Sequence, residues 1–166
     1  MGPSCAGKSS VSKEVYSRIK NENKNCQLIE LDSIEDTLKE KGHPHAPDDL
    51  IQELINQAST QLLHCNHIVI DTNIYSEKFN YSFGDAVVKK IIISCPLNIL
   101  LERNAAREEV IKRTTQQSYY AAEWIKETHA SFTAIREQCN NIFDSSTSSI
   151  AAISSHIINE FNQEKQ

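Results

Sequence analysis

The sequence predicts an α/β fold, a parallel sheet with helices on both faces, and three observations point there. Short apolar runs of strand length alternate with segments of helical period along the chain. Two of those runs close on an aspartate, Asp32 and Asp71, and in open α/β sheets polar groups at the carboxyl ends of strands face the ligand crevice. A loop bounded by Gly2 and Gly7 leads directly into an amphipathic segment. With 166 residues the length prior is one domain, 1–166. Such a chain buries roughly 70% of its unfolded surface, enough for a core without disulfides or structural metal.

The elements follow in order. Gly7 to about Lys20 reads as a helix, with Val11, Val15 and Ile19 at fourfold spacing, ended by Asn23 and Asn25. Cys26–Asp32 is a short strand ending in an acid, and Ile34–Lys39 a short helix. The next helix starts near Pro47 with Asp48 and Asp49 in its first turn; Leu50, Ile51, Leu54, Ile55, Ala58 and Leu62 form its stripe. His67–Asp71 is apolar enough for a central strand. Asn73–Asp85 lacks periodicity and reads as a loop. Val87–Ser94 is a third strand, and Pro96 turns the chain into a helix from Leu97 through about Arg107. A long helix from about Ser118 to Cys139 offers Trp124, Ile125, Phe132 and Ile135 for burial. Asn141–Asp144 is a last strand, and Ser148–Phe161 a closing helix with Ile150, Ile153, Ile157 and Phe161 on one side.

Seventeen basic against 22 acidic side chains give a formal charge of −5. That balance disfavours a nucleic-acid partner, whose phosphates call for a basic face. No apolar run approaches the ~20 residues of a membrane span and no secretory signal opens the chain, so a cytoplasmic protein without membrane contact is expected. The five cysteines are odd in number, widely spaced and without a CxxC pair, which suggests reduced thiols. Nothing in the sequence implies an obligate protein partner.

The chemistry lies at the start. Gly2-Pro3-Ser4-Cys5-Ala6-Gly7-Lys8-Ser9 fits G-x-x-x-x-G-K-[ST], the phosphate-binding loop, at every defined position, and Ser10 follows. Backbone N–H groups of such a loop surround phosphates, and the following helix adds the positive end of its dipole. Lys8 is expected to reach the β- and γ-phosphates of ATP and the Ser9 hydroxyl to bind Mg²⁺. A glycine turn that merely starts a helix is the plain alternative, but the amphipathic helix begins where the motif needs it. Only Met1 precedes Gly2, although a buried strand of ~5–6 residues should lead into the loop. The first strand of the sheet therefore looks truncated: either the natural chain starts upstream of Met1, or a real truncation leaves a weak or inactive protein.

A Ras-type GTPase is excluded, since Asn23-Lys24-Asn25-Cys26 lacks the aspartate of N-K-x-D and Asp71-Thr72-Asn73-Ile74 lacks the glycine of D-x-x-G. A small phosphotransferase remains. Asp32, at the carboxyl edge of the sheet, can accept the proton of an acceptor hydroxyl or orient it; Asp32 or Ser33 can equally cap the next helix. Asp71 stands where a carboxylate holds Mg²⁺, or belongs to a turn-forming Asp-Thr-Asn cluster. Arg103, Arg107 and Arg113 can close over the phosphates, or pair with Glu102, Glu108 and Glu109 on a solvated face. His43 and His45 lack a third metal ligand at convincing spacing. Cys5 is a small loop side chain with some oxidation sensitivity near a lysine. Tyr119, Tyr120 and Trp124 suit a core better than a substrate contact, and Asp144–Thr147 borders the base or caps the last helix.

With these residues placed, the chain resembles the small P-loop kinases related to chloramphenicol phosphotransferase, near the shikimate and nucleoside-monophosphate kinases. The likeness is carried by GPSCAGKSS from Gly2, LIELDSIED from Leu28, CPLNILLERNAAR from Cys95 and IFDSSTSS from Ile142. It implies a three-layer αβα sandwich on a five-stranded parallel sheet of order 2-3-1-4-5. It also implies ATP- and Mg²⁺-dependent phosphorylation of a hydroxyl on a small molecule. By the same resemblance Asp32 matches the catalytic aspartate after the second strand, Arg103 and Arg107 match lid arginines, and Ile142–Ser149 matches the adenine-side loop. Two departures stand out. Glu109-Val110 replaces an Asp-Arg pair, leaving Arg113 as the nearest substitute, and Asn73–Asp85 does not look like an antibiotic-binding segment. The resulting expectation is a cytosolic ATP-dependent kinase, with a nucleotide-binding or degenerate regulatory module lacking transfer activity as the alternative.

Overall fold

The computed structural model of the chain describes residues 1–22, 24–40, 42, 46–114 and 121–163, without the side chains at 111–114 and 163. Among the described residues six helices and four strands follow in order: α1 (Lys8–Asn21), β1 (Cys26–Glu30), α2 (Leu31–Glu40), α3 (Pro47–Leu62), β2 (His67–Asp71), β3 (Ile91–Ser94), α4 (Leu97–Thr114), α5 (Ala122–Ala134), β4 (Asn141–Asp144) and α6 (Ile150–Gln163). All pairing is parallel. β1 lies on β2 from Cys26 opposite His67 to Glu30 opposite Asp71. β3 lies on β4 from Ile91 opposite Asn141 to Ser94 opposite Asp144.

Side-chain alternation along β2 shows the layering. Val69 packs with the cluster built from Val11, Val15 and Ile19 of α1 and Ile153 and Ile157 of α6. Ile68 and Ile70 pack with Leu50, Ile51, Leu54 and Ile55 of α3 and Ile34 of α2. Successive strand residues point to opposite faces, so α1 and α6 cover one face and α2 and α3 the other. This is the αβα sandwich expected of a P-loop fold. Among the described residues the sheet is two strand pairs rather than a continuous ladder, and the only residue between them is Met1. Its amine donates to the Ile91 carbonyl at 2.8 Å, and the Ile93 N–H donates to the Met1 carbonyl at 2.8 Å.

Several expectations change. Asp32 does not end a strand: β1 stops at Glu30, and Asp32 is the second residue of α2. The third strand begins at Ile91 rather than Val87, because its ladder with β4 begins at Asn141. Helix α4 runs past Arg107 to Thr114, and the long helix expected from Ser118 is α5 followed by a 3₁₀ turn over Arg136–Gln138. The Asn73–Asp85 loop contains a 3₁₀ turn, Glu77–Asn80, capped by Ser76 and pinned by buried Phe79. Trp124 and Ile150, which the helical spacing assigns to the core, are 42% and 44% exposed. In α5 the buried positions are Ile125, Thr128 and Phe132, so Trp124 lies beside the stripe. The apolar run of β2 suits a central strand, yet His67–Ile70 is half-buried, because among the described residues only one of its edges is paired to a strand. His43, His45, Tyr119 and Tyr120 lie outside the described residues. No described helix is long and apolar enough to cross a membrane.

Candidate active site

The loop from Gly2 to Gly7 is shaped by what surrounds it. Gly2 has φ 151°, and a Cβ there would lie 2.2 Å from the Ile93 carbonyl oxygen, so the chain can leave β3 this closely only as glycine. Pro3, Ser4 and Ala6 are buried. The Ala6 N–H donates to the Pro3 carbonyl at 3.3 Å, and Lys8 Nζ donates to the same oxygen at 3.1 Å, folding the lysine back along the loop. Gly7 caps α1 with φ 87°, and neither a capping side chain nor a first-turn acid occupies that end. The first N–H groups of α1 and the positive end of its dipole thus face the loop without a competing anion. Ser9 and Ser10 are exposed at the same end.

Parallel pairing brings the strand ends together, and with them the acids. Asp71, the last residue of β2, is 6% exposed, while Asp32 is exposed on the first turn of α2. Lys8 senses both. Burial pulls its ammonium below the usual value, and the charges of Asp71 and Asp32 push it back up. Asp32 is raised by burial in its surroundings, lowered by Lys8 and raised again by Asp71. These mutual influences make Lys8, Asp32 and Asp71 one electrostatic group. Asp71 Oδ1 and the Ser4 hydroxyl are buried without a hydrogen-bond partner, which is costly unless a ligand meets them.

The arginines divide. Arg103 projects from α4 between the loop and the turn after β4. Its Nη1 donates to the Ser145 hydroxyl at 3.0 Å and the Cys5 carbonyl at 3.4 Å, and its Nη2 to the Ser145 carbonyl at 2.9 Å. Arg107, one turn on, is exposed, and its positive charge helps to lower Lys8. Arg113 is near the end of α4, and its side chain lies outside the described residues. The sequence named the Asp144–Thr147 segment without its hold on Arg103, and did not name Asn104. Ser145 holds Arg103 from a turn that Asp144 shapes, its Oδ1 accepting from the Ser146 N–H at 2.8 Å. Asn104 is 6% exposed and accepts a 3.8 Å contact from the Cys5 thiol. The signal for Asn104 was available: it stands four residues after Leu100, which is fully buried, so a polar residue interrupts an apolar stripe.

One carboxylate oxygen lacking a partner and an exposed serine hydroxyl suit a hard cation that keeps water and phosphate oxygens as its remaining ligands. Among the described residues no cluster of three or more His, Cys, Asp or Glu side chains forms a metal site of protein ligands alone.

Against known proteins, a family model described as an AAA domain matches residues 1–121. No sequence among the curated proteins matches significantly. Solved structures do. The APS kinase of Mycobacterium tuberculosis in complex with AMPPNP and APS superposes with a TM-score of 0.67 at 16% identity, covering 98% of this chain and 94% of that one. A gluconokinase from Sinorhizobium meliloti 1021 gives 0.62 at 14% identity, with 100% and 94% covered. Shikimate kinase from Bacteroides thetaiotaomicron gives 0.61 at 12% identity, with 98% and 96% covered. At these identities the likeness is one of fold, that of the P-loop kinases.

Proposed function

The chain belongs to the AAA domain family, and on that premise we propose that it is an ATP- and Mg²⁺-dependent phosphotransferase acting on the hydroxyl of a small molecule. The observation that carries this reading is the grouping of Lys8, Asp32 and Asp71 at a helix start that no side chain caps. A phosphate seat, a cation ligand and a carboxylate for an acceptor then lie within mutual electrostatic reach. The fold shared with kinases of adenylyl sulfate, gluconate and shikimate supports it. The finer placement beside chloramphenicol phosphotransferase rests on the four segments from Gly2, Leu28, Cys95 and Ile142.

In this reading ATP lies along Gly2, Pro3, Ser4, Cys5, Ala6, Gly7, Lys8, Ser9 and Ser10. Backbone N–H groups and Lys8 take the phosphates, while Ser9 and Asp71 hold Mg²⁺. When bound, the cation neutralises charge on the phosphates. Asp32 receives the proton of the acceptor hydroxyl or fixes its direction, and its raised pKa makes it a better proton acceptor than an ordinary aspartate. Arg107 and Arg113 supply charge to the transferring group, and Arg103 steadies the loop from behind. Catalysis is then positioning and electrostatic stabilisation.

A second reading, nucleotide binding without transfer, is favoured by one observation: the Arg103 guanidinium is already committed to Cys5 and Ser145. The two readings separate in one experiment. ATP–Mg²⁺ at about 100 times its Kd raises stability by ~2.7 kcal/mol, and Lys8→Ala abolishes the thermal shift. Radiolabelled γ-phosphate is then followed onto a panel of polyols, sugars and hydroxy acids. Asp32→Asn is expected to keep the thermal shift and lose the transfer. Full transfer by Asp32→Asn overturns the catalytic role, and a shift without transfer to any acceptor favours the second reading.

A further inference from the structure

Helices α1, α2 and α3 open toward the site with different charge in their first turns. α1 follows the phosphate loop, and α2 starts directly after the carboxyl end of β1. α3 starts at that same edge, because its far end leads five residues later into the start of β2. The first turn of α1 carries no acid, whereas α2 carries Asp32 and α3 carries Asp48 and Asp49. The positive dipole end that suits a phosphate at α1 is thus already answered by carboxylates at α2 and α3. Asp36 stands one turn after Asp32 on the same face of α2, and both are exposed. The 3₁₀ turn after β2 closes this side. Its Lys78 Nζ lies 3.6 Å from Asp48 Oδ1, and its Glu77 is exposed.

Counter-charge is scarce there. Residues 31–85 hold ten acidic and three basic side chains and no arginine. Of the lysines, Lys39 pairs with Glu35 at 2.7 Å and Lys78 with Asp48, and Lys41 lies outside the described residues. Asp32, raised by burial and lowered by Lys8, is raised again by Asp71, Glu35 and Asp36. Asp71 Oδ1, in the same electrostatic group, is buried without a hydrogen-bond partner. Once phosphates take Lys8 and Mg²⁺ takes Asp71, the face left around Asp32 is anionic.

We propose that the acceptor is a small hydroxylated amine, an amino alcohol or amino sugar that enters in its ammonium form. The proposal rests on the phosphotransferase reading above and adds the charge class of the acceptor. A carboxylate or sulfate on the acceptor calls for a guanidinium fork or an uncommitted ammonium. Among the described residues this side offers neither, and in that reading Arg107 and Arg113 serve the transferring group. An ammonium instead meets the field of Asp36, Asp48 and Glu77. In the transfer, the acceptor hydroxyl oxygen bonds the γ-phosphorus. The bond from that phosphorus to the β–γ bridging oxygen breaks, its electron pair leaving on ADP, and the hydroxyl proton passes to Asp32. The amine keeps its proton throughout, so the charge that positions it persists.

Three matched sets test the charge class, each holding an amine, a neutral polyol and an acid. They are ethanolamine, ethylene glycol and glycolate; serinol, glycerol and glycerate; glucosamine, glucose and gluconate. Transfer of radiolabelled γ-phosphate from ATP–Mg²⁺ is measured at low and high salt for the parent and for Asp36→Lys. The amine is expected to lead each productive set in kcat/KM, with a lead that shrinks as salt rises. Asp36→Lys should lower kcat/KM for the amine by about fivefold and move the neutral member little. An unchanged ATP–Mg²⁺ thermal shift in that variant shows its fold and phosphate seat intact. A neutral or acidic member in the lead overturns the proposal and leaves the phosphotransferase reading standing. So does an equal loss for all three members in Asp36→Lys. No transfer to any of the nine compounds, with the thermal shift intact, overturns the phosphotransferase reading and the proposal with it.

Discussion

The β1–β2 pair and the β3–β4 pair share one backbone plan, two parallel strands in register, yet they differ in cover and in charge. The first is packed on one face by α2, α3 and Phe79 around Leu54 and on the other by α1, and brings carboxylates to its end of the site, Asp71 from β2 and Asp32 from α2. The second is packed by α4, α5 and α6 around Leu100, Ile125 and Ile153, and brings guanidinium groups, Arg103 and Arg107. Helix α1 and the loop before it stand between the two, with Lys8 answering the acids and Cys5 held by Arg103. The difference teaches that carboxylates and guanidinium groups reach the site from different strand pairs, although one core, holding Cys26 and Val69 of the first pair with Ile93 and Phe143 of the second, runs under both. Their alignment depends on the short stretch Met1–Lys8, where both pairs meet.

The sharpest way to break this comparison is to loosen one core at a time. Leu54→Ala and Leu100→Ala each empty a fully buried site and should cost ~2–5 kcal/mol. Amide exchange should rise mainly in β1, α2 and α3 for the first, and mainly in β3, β4 and α6 for the second. A uniform rise from either would show a single cooperative core.

Next in size is the arginine clamp. Arg103→Ala removes hydrogen bonds from a charged donor, each worth ~1.5–3 kcal/mol when well made; Arg103 is partly exposed, so the lower figure applies. Chemical denaturation should show that loss, with faster exchange confined to the Cys5 and Ser145 backbones. Arg103→Lys should recover part of the stability but not the two-pronged grip on Ser145.

Smaller but more diagnostic is Asp71→Asn. It preserves the shape of a nearly buried side chain while removing the charge, so it should weaken Mg²⁺-dependent stabilisation by ATP and leave stabilisation by ATP without Mg²⁺ nearly unchanged. Titration of the thermal shift with Mg²⁺ reads the difference directly.

The smallest expected effect is on the apo protein. Asp32 has a raised folded-state pKa, so between its unfolded value near 3.8 and the folded value the native state holds more protons. Its contribution to stability therefore falls as pH rises through that window. Asp32→Asn should match the parent near pH 3.5 and exceed it at pH 7 by about 1 kcal/mol or less, because the side chain is exposed and screened. A parent more stable than the variant at pH 7 would assign Asp32 to structure rather than to function.

The sequence by itself determined the loop, the order of elements and most burial stripes. Gly2, Gly7 and Lys8 answer to backbone sterics and charge within a few residues, and the stripes of α1 and α3 repeat with the helix, so both are local properties. His67–Asp71 and Asn141–Asp144 were legible as strands for the same reason, their apolar runs being short and sharply bounded. Tertiary structure decided what depends on partners far along the chain. The start of β3 is set by its register with β4 fifty residues later, and Asp32 falls on a helix because β1 ends opposite Asp71. Arg103 finds Ser145 only because α4 crosses the turn after β4, a contact between residues that no local pattern relates. The half-covered state of β2 is of the same kind: apolar composition suits a central strand, but burial on both edges requires a neighbour on each side, and among the described residues β2 pairs with β1 alone.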